Sequence, residues 1–500
     1  MVTLVIMDGL GWTEKQHGNA VFASGTPYLK KLKEMFPHTL LKTHGESVGL
    51  EEGQMGGSEV GHLNIGAGRV VYQDLSKINN MIKANTLKDA QEVVNAFNHA
   101  KKFGSTLHFM GLLSDGGIHS KISHLEYLVQ AAIDAGIKKI VVHAFTDGRD
   151  TLKDSGLKFA LDFQKKFEGK TRIASLCGRI YAMDREKRYD RLQKAYDMLV
   201  MGRAENYTDN LKDAFTQSYE KGIYDEFIEP VIIGKPEKIM SNDACIFFNY
   251  RSDRARELSQ SIAEQDIKEM SLVNLKNVYF VGMTEYNADF KNVKAIIGPE
   301  KVTENLAKIL SENGKKQYHI SETTKYAHVT FFLNGGIETP YKGEDRKLIE
   351  SYDVKDFSET PQMRAFEITE DVISKIAENK YDFIIVNLSN ADMVGHTGNF
   401  DATVESVDIV DRCAYLIALA TLSAGGQCLV TADHGNADFM LDDDNNVITS
   451  HSINLVPFIL AGMDFENVSL KEGKSLTSIA PTILKLLNIE IPAFMDEPLF

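Results

Sequence analysis

Residues Gly53–Gly68 read GQMGGSEVGHLNIGAG, and six of these sixteen positions are glycine. Because glycine has no Cβ atom, such a backbone can turn sharply and come close to a bulky anion. Ser58 follows two glycines at the predicted start of a short helix over Ser58–Ile65, where free N–H groups and the helix dipole favour negative charge. The stretch predicts either a serine that accepts a phosphoryl or acyl group, or a glycine-rich loop with an N-capping serine. A nucleophilic serine also needs a base or a metal from elsewhere in the chain.

The composition is that of a large, acidic globular protein. The chain has 500 residues, of which 43% are hydrophobic and 25% charged, and its formal net charge is −15. This charge argues against general binding to nucleic acids or anionic membranes. An anionic substrate would therefore need a local cluster of arginines. The length is compatible with two large domains or three smaller ones.

Cysteine usage and the amino-terminal sequence predict a cytoplasmic protein. Cys177, Cys245, Cys413 and Cys428 lie far apart and form no CxxC pair, so we expect buried thiols of a reducing compartment. The sequence MVTLVIMDGLGW lacks the basic segment and the apolar length of a signal peptide. No run approaches the ~20 apolar residues of a membrane span.

The order of predicted elements indicates one α/β domain interrupted by another. Val2–Met7 is a continuous apolar run, typical of a strand buried on both faces, and Asp8 follows at its carboxyl end, where open α/β sheets bind ligands. After residue 72 the sequence becomes polar and helical, and a second α/β series begins. Near residue 300 it changes again, and a helix is predicted over Val302–Asn313. We therefore assign residues 1–72 and 300–500 to one domain and 73–299 to the insert.

Arginines cluster after the predicted strands of the insert. These strands are Thr106–Leu113, Lys139–Phe145, Arg172–Leu176, Ala244–Asn249 and Val278–Val281. Four of them run into polar loops, which carry Arg149, Arg179, Arg185, Arg251 and Arg254. Guanidinium groups match carboxylates and phosphates in two-point contacts. In so acidic a protein the pattern favours an anion pocket over solvated surface arginines.

Potential metal ligands follow two later strands, predicted at Phe383–Leu388 and Gln427–Thr431. Asp392 and His396 are four residues apart, so one helical turn would place them on one face. Asp433 and His434 follow the second strand and could contact one ion from two sides or help to bridge two ions.

With Asp8 and His451, these residues make three carboxylates and three imidazoles, and Ser58 is a possible seventh ligand. Mixed carboxylate and imidazole ligands suit Mn²⁺, Zn²⁺ or Fe²⁺ better than Ca²⁺. Seven ligands are too many for one tetrahedral ion and about right for two, which could activate an oxygen nucleophile.

The chain resembles a known family, the cofactor-independent (2,3-bisphosphoglycerate-independent) phosphoglycerate mutases of the alkaline phosphatase superfamily. The resemblance runs nearly end to end. It is carried by MDGLGW near the amino terminus, GESVGLEEGQMGGSEVGHLNIGAGR (Gly45–Arg69), Leu112–His124, HAFTDGRDT (His143–Thr151), GRIYAMDREKRYDR (Gly178–Arg191), NYRSDRAREL (Asn249–Leu258), ETTKYAHVTFFLNGG (Glu322–Gly336), NADMVGHTG (Asn390–Gly398) and TADHGNAD (Thr431–Asp438).

This resemblance implies a fold and an activity. The fold is an alkaline-phosphatase-like three-layer α/β/α metal domain interrupted by an inserted α/β domain that binds the substrate. The activity is that of an isomerase that interconverts 3-phosphoglycerate and 2-phosphoglycerate in glycolysis and gluconeogenesis. The phosphoryl group would pass through Ser58 without 2,3-bisphosphoglycerate. Because one chain would supply the whole site, a monomer is favoured.

The resemblance also implies roles for individual residues. Two divalent ions are expected, Mn²⁺ first, with Mg²⁺, Zn²⁺ or Co²⁺ as alternatives. One ion would be held by Asp392, His396 and His451, and the other by Asp8, Ser58, Asp433 and His434. The substrate would be held by His119, Arg149, Asp150, Arg179, Arg185, Arg251, Arg254 and Lys325. Asp150 is the expected general base or hydroxyl-orienting group, and Lys325 would stabilise charge on the transferring group.

Three alternatives stay open at this stage. A metal-dependent phosphatase of the same superfamily could share Ser58 and the metal ligands but would not need the arginines of the insert. A phosphopentomutase-like enzyme would carry a smaller and different insert. A catalytically silent metal-binding or scaffold protein would be expected to have lost Ser58 or a ligand. Gly57 stands where asparagine is expected in much of the family, and its backbone freedom would affect how rigidly Ser58 is held.

Overall fold

The computed structural model describes residues 1–298, 302–463, 465 and 468–500. The chain divides into two compact units, Met1–Gln73 with Lys301–Phe500, and Asp74–Glu300. Each unit contains one β-sheet and its own hydrophobic core, and the predicted α/β fold class is confirmed. The predicted boundary at residues 299 and 300 lies outside the described residues.

Fifteen strands are described: β1 (Val2–Met7), β2 (His38–Leu41), β3 (Leu107–Leu112), β4 (Ile140–Thr146), β5 (Arg172–Gly178), β6 (Asn206–Thr208), β7 (Val231–Ile233), β8 (Ala244–Phe247), β9 (Tyr279–Thr284), β10 (Val293–Ile297), β11 (Gln317–Glu322), β12 (Glu344–Ile349), β13 (Phe383–Leu388), β14 (Gln427–Thr431) and β15 (Val456–Ala461).

The described α-helices are α1 (Ala20–Ser24), α2 (Pro27–Met35), α3 (Ser58–Ala67), α4 (Asp74–Lys83), α5 (Gln91–Phe103), α6 (Ile122–Asp134), α7 (Gly156–Lys166), α8 (Arg179–Ala182), α9 (Tyr189–Tyr196), α10 (Leu211–Tyr219), α11 (Arg256–Ser259), α12 (Leu306–Glu312), α13 (Ala365–Ala377), α14 (Asn390–Gly395), α15 (Phe400–Ser423) and α16 (Ile479–Leu486). Shorter 3₁₀ or π turns cover Gly45–Val48, Leu87–Asp89, Asp197–Met201, Asp225–Phe227, Gln260–Glu264, His328–Phe332, Phe357–Glu359 and Leu476–Ser478.

The sheet of the first unit has the order β12-β11-β13-β1-β14-β15-β2, and β15 runs antiparallel to both its neighbours. β1 lies between β13 and β14 and is parallel to both. Met7 pairs with Leu388, and Ile6 pairs with Thr431. The three strands therefore end at the same edge of the sheet, which brings together the polar residues that follow them.

Helices cover the faces of this sheet. The strands β1 and β13 are buried along their whole length, as both faces of a parallel sheet require. The helices α13 and α15 pack against each other and against the central strands, whereas α3 contacts α12, α16 and the turn at His328–Phe332. At Gly66 the helix α3 comes so close to this turn that a Cβ atom would lie 1.9 Å from the Leu333 carbonyl oxygen. This close contact fixes the helix that begins at Ser58.

The sheet of the inserted unit has the order β10-β9-β8-β3-β4-β5-β7-β6. The strands from β10 to β5 are parallel, whereas β7 pairs antiparallel with β5. The neighbours β8, β3, β4 and β5 consequently end at one edge. The polar loops predicted to follow these strands begin there.

One helix begins later than the sequence predicts. Val302 is buried, but α12 starts only at Leu306, because the Asn305 side chain accepts a hydrogen bond from Lys308 N and caps the helix. Among the described residues, no helix combines the length and the apolar character needed to cross a bilayer.

Candidate active site

Ser58 is the first residue of α3 and lies in a dense group of charged side chains. Its hydroxyl is 3.2 Å from Asp8 Oδ1 and 2.9 Å from His434 Nε2, and it accepts a hydrogen bond from Lys325 Nζ. The residue is 7% exposed. The oxygen is therefore in contact with a carboxylate, an imidazole and an ammonium group.

Three buried carboxylates meet around Lys325. Asp8, Asp392 and Asp433 follow β1, β13 and β14, and none is more than 2% exposed. Lys325 follows β11 and donates to Asp8 Oδ1 at 2.8 Å and to Asp392 Oδ2 at 2.6 Å. Burial lowers the pKa of Lys325, but the charges of Asp8 and Asp392 outweigh this effect and raise it overall. The cluster still carries more negative than positive charge unless its histidines are protonated.

Two histidines complete a second group with Asp392. The Nε2 atoms of His396 and His451 lie 3.2 Å and 3.3 Å from Asp392 Oδ1 and 3.1 Å from each other. Their Nδ1 atoms contact backbone carbonyl oxygens, that of Thr449 at 2.7 Å and that of Gly56 at 2.8 Å. A neutral imidazole that donates through Nδ1 carries its lone pair on Nε2. Two such nitrogens and a carboxylate oxygen converge, which is an arrangement that fits a divalent cation.

The remaining predicted ligands also come together. Asp8, Asp392 and His434 place one ligand atom each within 4.8 Å of one another. The Oδ2 atom of Asp433 is buried without a hydrogen-bond partner in the described chain. His62 Nδ1 and His434 Nε2 lie 3.3 Å and 3.7 Å from this oxygen without forming a hydrogen bond to it. A buried carboxylate oxygen without a hydrogen bond is costly, and a bound cation would offset that cost. The donor set of the first unit therefore fits divalent metal ions.

Electrostatics within the cluster favour ionised carboxylates. Burial raises the pKa of Asp392, but the charge of Lys325 and the rings of His396 and His451 beside its Oδ1 hold it well below its usual range. Burial lowers the pKa of His434, but the charge of Asp433 and the hydrogen bond to Asp8 outweigh this effect and raise the pKa to about 9.

His62 lies one helical turn after Ser58 and was not predicted as a site residue. Its Nδ1 atom is 2.8 Å from the Ser58 carbonyl oxygen and 3.3 Å from Asp433 Oδ2. Its Nε2 atom is 3.1 Å from the Asn387 amide, which donates to Asp8 Oδ2 at 2.7 Å. His62 thus connects the serine helix to two of the buried carboxylates. The i, i+4 spacing from Ser58 within Gly53–Gly68 was the signal that could have found it.

Gly57 has an extended backbone, with φ −165° and ψ 167°, which any residue can adopt. A Cβ atom there would lie 3.4 Å from the His451 ring, an ordinary van der Waals contact. The conformation beside Ser58 does not itself require glycine.

The inserted unit holds the second group of predicted residues. Arg179, which is 2% exposed, donates to Asp147 Oδ1 at 2.7 Å and to Asp150 Oδ2 at 2.5 Å. Arg149 Nη1 is 3.6 Å from Glu226 Oε1. Asp147, Arg149 and Asp150 follow β4 and Arg179 follows β5, so the loops after these two neighbouring strands lie together.

Asp253 links other members of the group, although the sequence analysis did not assign it a role. Its Oδ2 atom accepts from Arg185 at 2.7 Å, and its Oδ1 atom is 3.4 Å from Arg251 Nε and 3.6 Å from His119 Nδ1. It lies between two predicted arginines in RSDR (Arg251–Arg254), a position that could have identified it.

The positive charge of the arginines in the inserted unit lowers the pKa of two of their neighbours. Burial and the charge of Arg179 lower the pKa of His119 to about 4, so this imidazole is neutral at pH 7. Burial and the charges of Arg185 and Arg179 lower the pKa of Arg254, whose Nη1 donates to the Met183 carbonyl at 3.0 Å. Crowded guanidinium groups of this kind favour a bound anion.

Comparison with known proteins identifies the family. The family model for the BPG-independent PGAM N-terminus matches residues 78–288. Relatives named 2,3-bisphosphoglycerate-independent phosphoglycerate mutase from Clostridioides difficile (strain 630) and Bacteroides fragilis (strain YCH46) are 44% and 45% identical; the matches cover 99% and 98% of this chain, and 98% and 97% of theirs. A crystal structure of Leishmania mexicana phosphoglycerate mutase at low cobalt concentration matches with a TM-score of 0.64 and 31% identity, and the match covers 100% of this chain and 97% of that one. This chain therefore belongs to the family of 2,3-bisphosphoglycerate-independent phosphoglycerate mutases.

Proposed function

We propose that this protein interconverts 3-phosphoglycerate and 2-phosphoglycerate through a phosphoserine at Ser58, without 2,3-bisphosphoglycerate. The observation that carries the proposal is the environment of the Ser58 hydroxyl, which contacts Asp8, His434 and Lys325 inside a buried acidic cluster. Membership of the mutase family supports 3-phosphoglycerate and 2-phosphoglycerate as the substrates. The inserted unit is assigned to substrate binding and the other unit to phosphoryl transfer.

We assign one divalent ion to Asp392, His396 and His451, and a second to Asp8, Ser58, Asp433 and His434, with Mn²⁺ as the expected ion. Bound there, such ions would neutralise charge on the transferring phosphoryl group and favour loss of the proton from the attacking hydroxyl. The orphaned Asp433 oxygen and the converging Nε2 atoms of His396 and His451 support this assignment.

The protein's own groups supply the remaining chemistry. The Ser58 hydroxyl passes its proton to Asp8, whose Oδ1 accepts from it, as its oxygen attacks phosphorus. The bond between phosphorus and O3 of the glycerate breaks, and the equivalent proton ends on O3, which leaves as a hydroxyl. Lys325 donates to the serine oxygen and stabilises negative charge there. In the second half-reaction the O2 hydroxyl of the glycerate gives its proton to Asp150 as O2 attacks phosphorus, the bond between phosphorus and Ser58 Oγ breaks, and the equivalent proton restores the serine hydroxyl.

The arginine group is proposed to hold the glycerate carboxylate between the half-reactions. Arg251, Arg254 and Arg185 offer the guanidinium groups, and neutral His119 can donate a further hydrogen bond. Asp150, which accepts from Arg179, is the proposed base or orienting group for the glycerate hydroxyl. A phosphatase needs no such hold on the alcohol product, so this group favours a mutase.

Arg254→Met should raise KM for 3-phosphoglycerate about 30-fold, because a hydrogen bond to a charged group contributes about 2 kcal/mol. If glycerate dissociates before the second half-reaction, water can hydrolyse the phosphoserine. The share of free phosphate among the products should therefore also rise. Steady-state kinetics that follow both products test this prediction.

Arg188→Met is the matched control, since Arg188 lies in the same unit, is half-exposed and pairs with Asp190 on the surface. An unchanged KM in Arg254→Met, or an equal change in both variants, would contradict the role of Arg254.

Activity should fall on acidification, and excess Mn²⁺ should move this acid limb to lower pH. In the metal-free cluster His434 has a pKa of about 9, so it holds a proton at neutral pH that metal binding must displace. As the pH falls, protons compete better and metal affinity drops. The measurement is kcat/KM against pH at two Mn²⁺ concentrations, with ionic strength held constant by NaCl. An acid limb that excess Mn²⁺ does not move would refute the coupling.

The decisive assay supplies 3-phosphoglycerate with and without Mn²⁺, omits 2,3-bisphosphoglycerate, and follows 2-phosphoglycerate and free phosphate. Formation of 2-phosphoglycerate supports the mutase. Free phosphate alone would mean a metal-dependent phosphatase, and activity only on pentose phosphates would mean a phosphopentomutase.

We also propose a cytoplasmic monomer. The four cysteines are free and buried, as expected in a reducing compartment, and one chain supplies every residue of both groups. Light scattering on the purified protein tests the oligomeric state.

A further inference from the structure

A cleft beside the edge strand β2 collects positive charge in an otherwise acidic protein. Its volume is about 560 Å³, within the range of small-molecule sites. The side chains that define it are Trp12, Lys30, Lys33, His38, Lys42 and Glu472. All of them belong to the first unit, and neither the Ser58 cluster nor the arginine group uses them.

The ammonium group of Lys33 is less exposed to solvent than that of an ordinary surface lysine. Lys33 is partly buried, and its Nζ lies 3.8 Å from the centre of the Trp12 ring. Burial and the charge of Lys30 lower the pKa of Lys33 to about 8. Lys30 and Lys33 are three residues apart on α2, so their like charges share one face of the helix and repel. A bound anion would relieve both the desolvation and the repulsion.

Among the described residues, no carboxylate lies within ion-pair distance of the three lysines of the cleft. In the part of the chain that the structure describes, Lys30, Lys33 and Lys42 form no ion pair. His38 contacts the Phe36 carbonyl oxygen through Nδ1 at 3.2 Å, which leaves Nε2 available. Glu472 is the acidic side chain of the lining and lies exposed.

A simpler explanation is that these charges protect the edge of the sheet. Lysines beside an edge strand prevent unwanted pairing with another chain, and Lys42 and His38 suit that purpose. Lys30 and Lys33, however, lie on α2 rather than on the strand. Protection of an edge does not require an ammonium group to be packed over a tryptophan.

We propose that this cleft binds the phosphoryl group of a small anionic ligand. Lysines bind phosphate as point charges, and two of them on one helix face with a third beside β2 match a dianion better than a monoanion. The apolar face of Trp12 closes one side of the site. The proposal does not depend on the activity assigned above.

Trp12 makes the proposal directly testable, because it is the single tryptophan of the sequence. The metal-loaded protein is titrated with inorganic phosphate at constant ionic strength while tryptophan fluorescence is recorded. A saturable change is expected. Since Trp12 lies four residues after Asp8, the titration is repeated in a Ser58→Ala/Arg254→Met background, where phosphate binding at the catalytic groups is weakened.

Lys33→Met removes the charge and keeps the apolar stem, and it should weaken phosphate binding about tenfold. Because this change also alters the Trp12 environment, equilibrium dialysis with labelled phosphate counts bound ions independently, and Lys42→Met serves as a second variant. Glu472→Gln should tighten binding. The control is Lys347→Met on β12, the opposite edge strand, which should change nothing.

Two results would overturn the proposal. One is the absence of a saturable signal at constant ionic strength. The other is equal phosphate binding in the parent protein, Lys33→Met and Lys42→Met, which would leave these lysines as solvated charges that protect the edge.

Discussion

Replacing Ser58 with alanine is expected to lower kcat by at least about 10⁴-fold while the protein stays folded. The hydroxyl is the group that would accept the phosphoryl group, and Asp8, His434 and Lys325 are arranged around it. Among the contacts described for this cluster, no second hydroxyl group is placed to accept the phosphoryl group. The small change in volume at the first residue of α3 should leave the melting temperature close to that of the parent protein.

The measurement is formation of 2-phosphoglycerate from 3-phosphoglycerate with Mn²⁺ present, together with mass spectrometry of protein quenched during turnover. The parent protein should carry a phosphoryl group on the peptide that contains Ser58, and the variant should carry none. Ser47→Ala is the matched control, because Ser47 lies in the same unit and its hydroxyl donates only to the His44 carbonyl in the described structure. Turnover by Ser58→Ala within tenfold of the parent would rule out the phosphoserine route.

The sequence predicted the parts of the fold that position these residues, because those parts are locally unambiguous. β1, β13 and β14 have the predicted bounds, since each is a short apolar run followed by a polar loop. Parallel pairing then brings Asp8, Asp392 and Asp433 to one edge without further information from the sequence.

The peripheral strands could not be predicted in the same way. β12 reads EDRKLI, and its polar, half-exposed residues give no apolar pattern. β15 contains Pro457, which cannot donate a backbone hydrogen bond and argues against a strand, yet it pairs there with Leu40 of β2. These strands form by pairing with strands elsewhere in the sequence, and a local residue pattern carries no information about that pairing.

The same distinction applies to the site. Ser58, the metal-type ligands and the arginines were predicted because they end strands or stand in dense motifs. His62 and Asp253 were missed because their importance lies in contacts with residues distant in sequence, Asp433 for His62 and Arg185 for Asp253. A histidine inside a helix and an aspartate between arginines look ordinary until those partners are seen.

Replacing Lys325 with methionine is expected to lower kcat about 10³-fold and to change KM for 3-phosphoglycerate by less than about threefold. Lys325 donates to the Ser58 oxygen and bridges Asp8 and Asp392, so its charge acts where negative charge develops during transfer. The glycerate carboxylate is assigned to the arginine group, which this change does not touch. If KM instead rose about 10³-fold, Lys325 would contribute to ground-state binding of the substrate.

The variant should also separate catalysis from stability. Lys325 is 4% exposed, and removing a buried charge from its partners costs about 3 kcal/mol, because the carboxylates left behind are uncompensated. That cost should appear in the melting temperature of the chelated protein and be largely recovered with Mn²⁺, whereas kcat should stay low in both cases. Lys308→Met, at a surface lysine paired with Glu304, should show neither effect. If Mn²⁺ restored kcat along with stability, Lys325 would be only a structural counter-ion, and the charge on the transferring group would have to be stabilised by other residues.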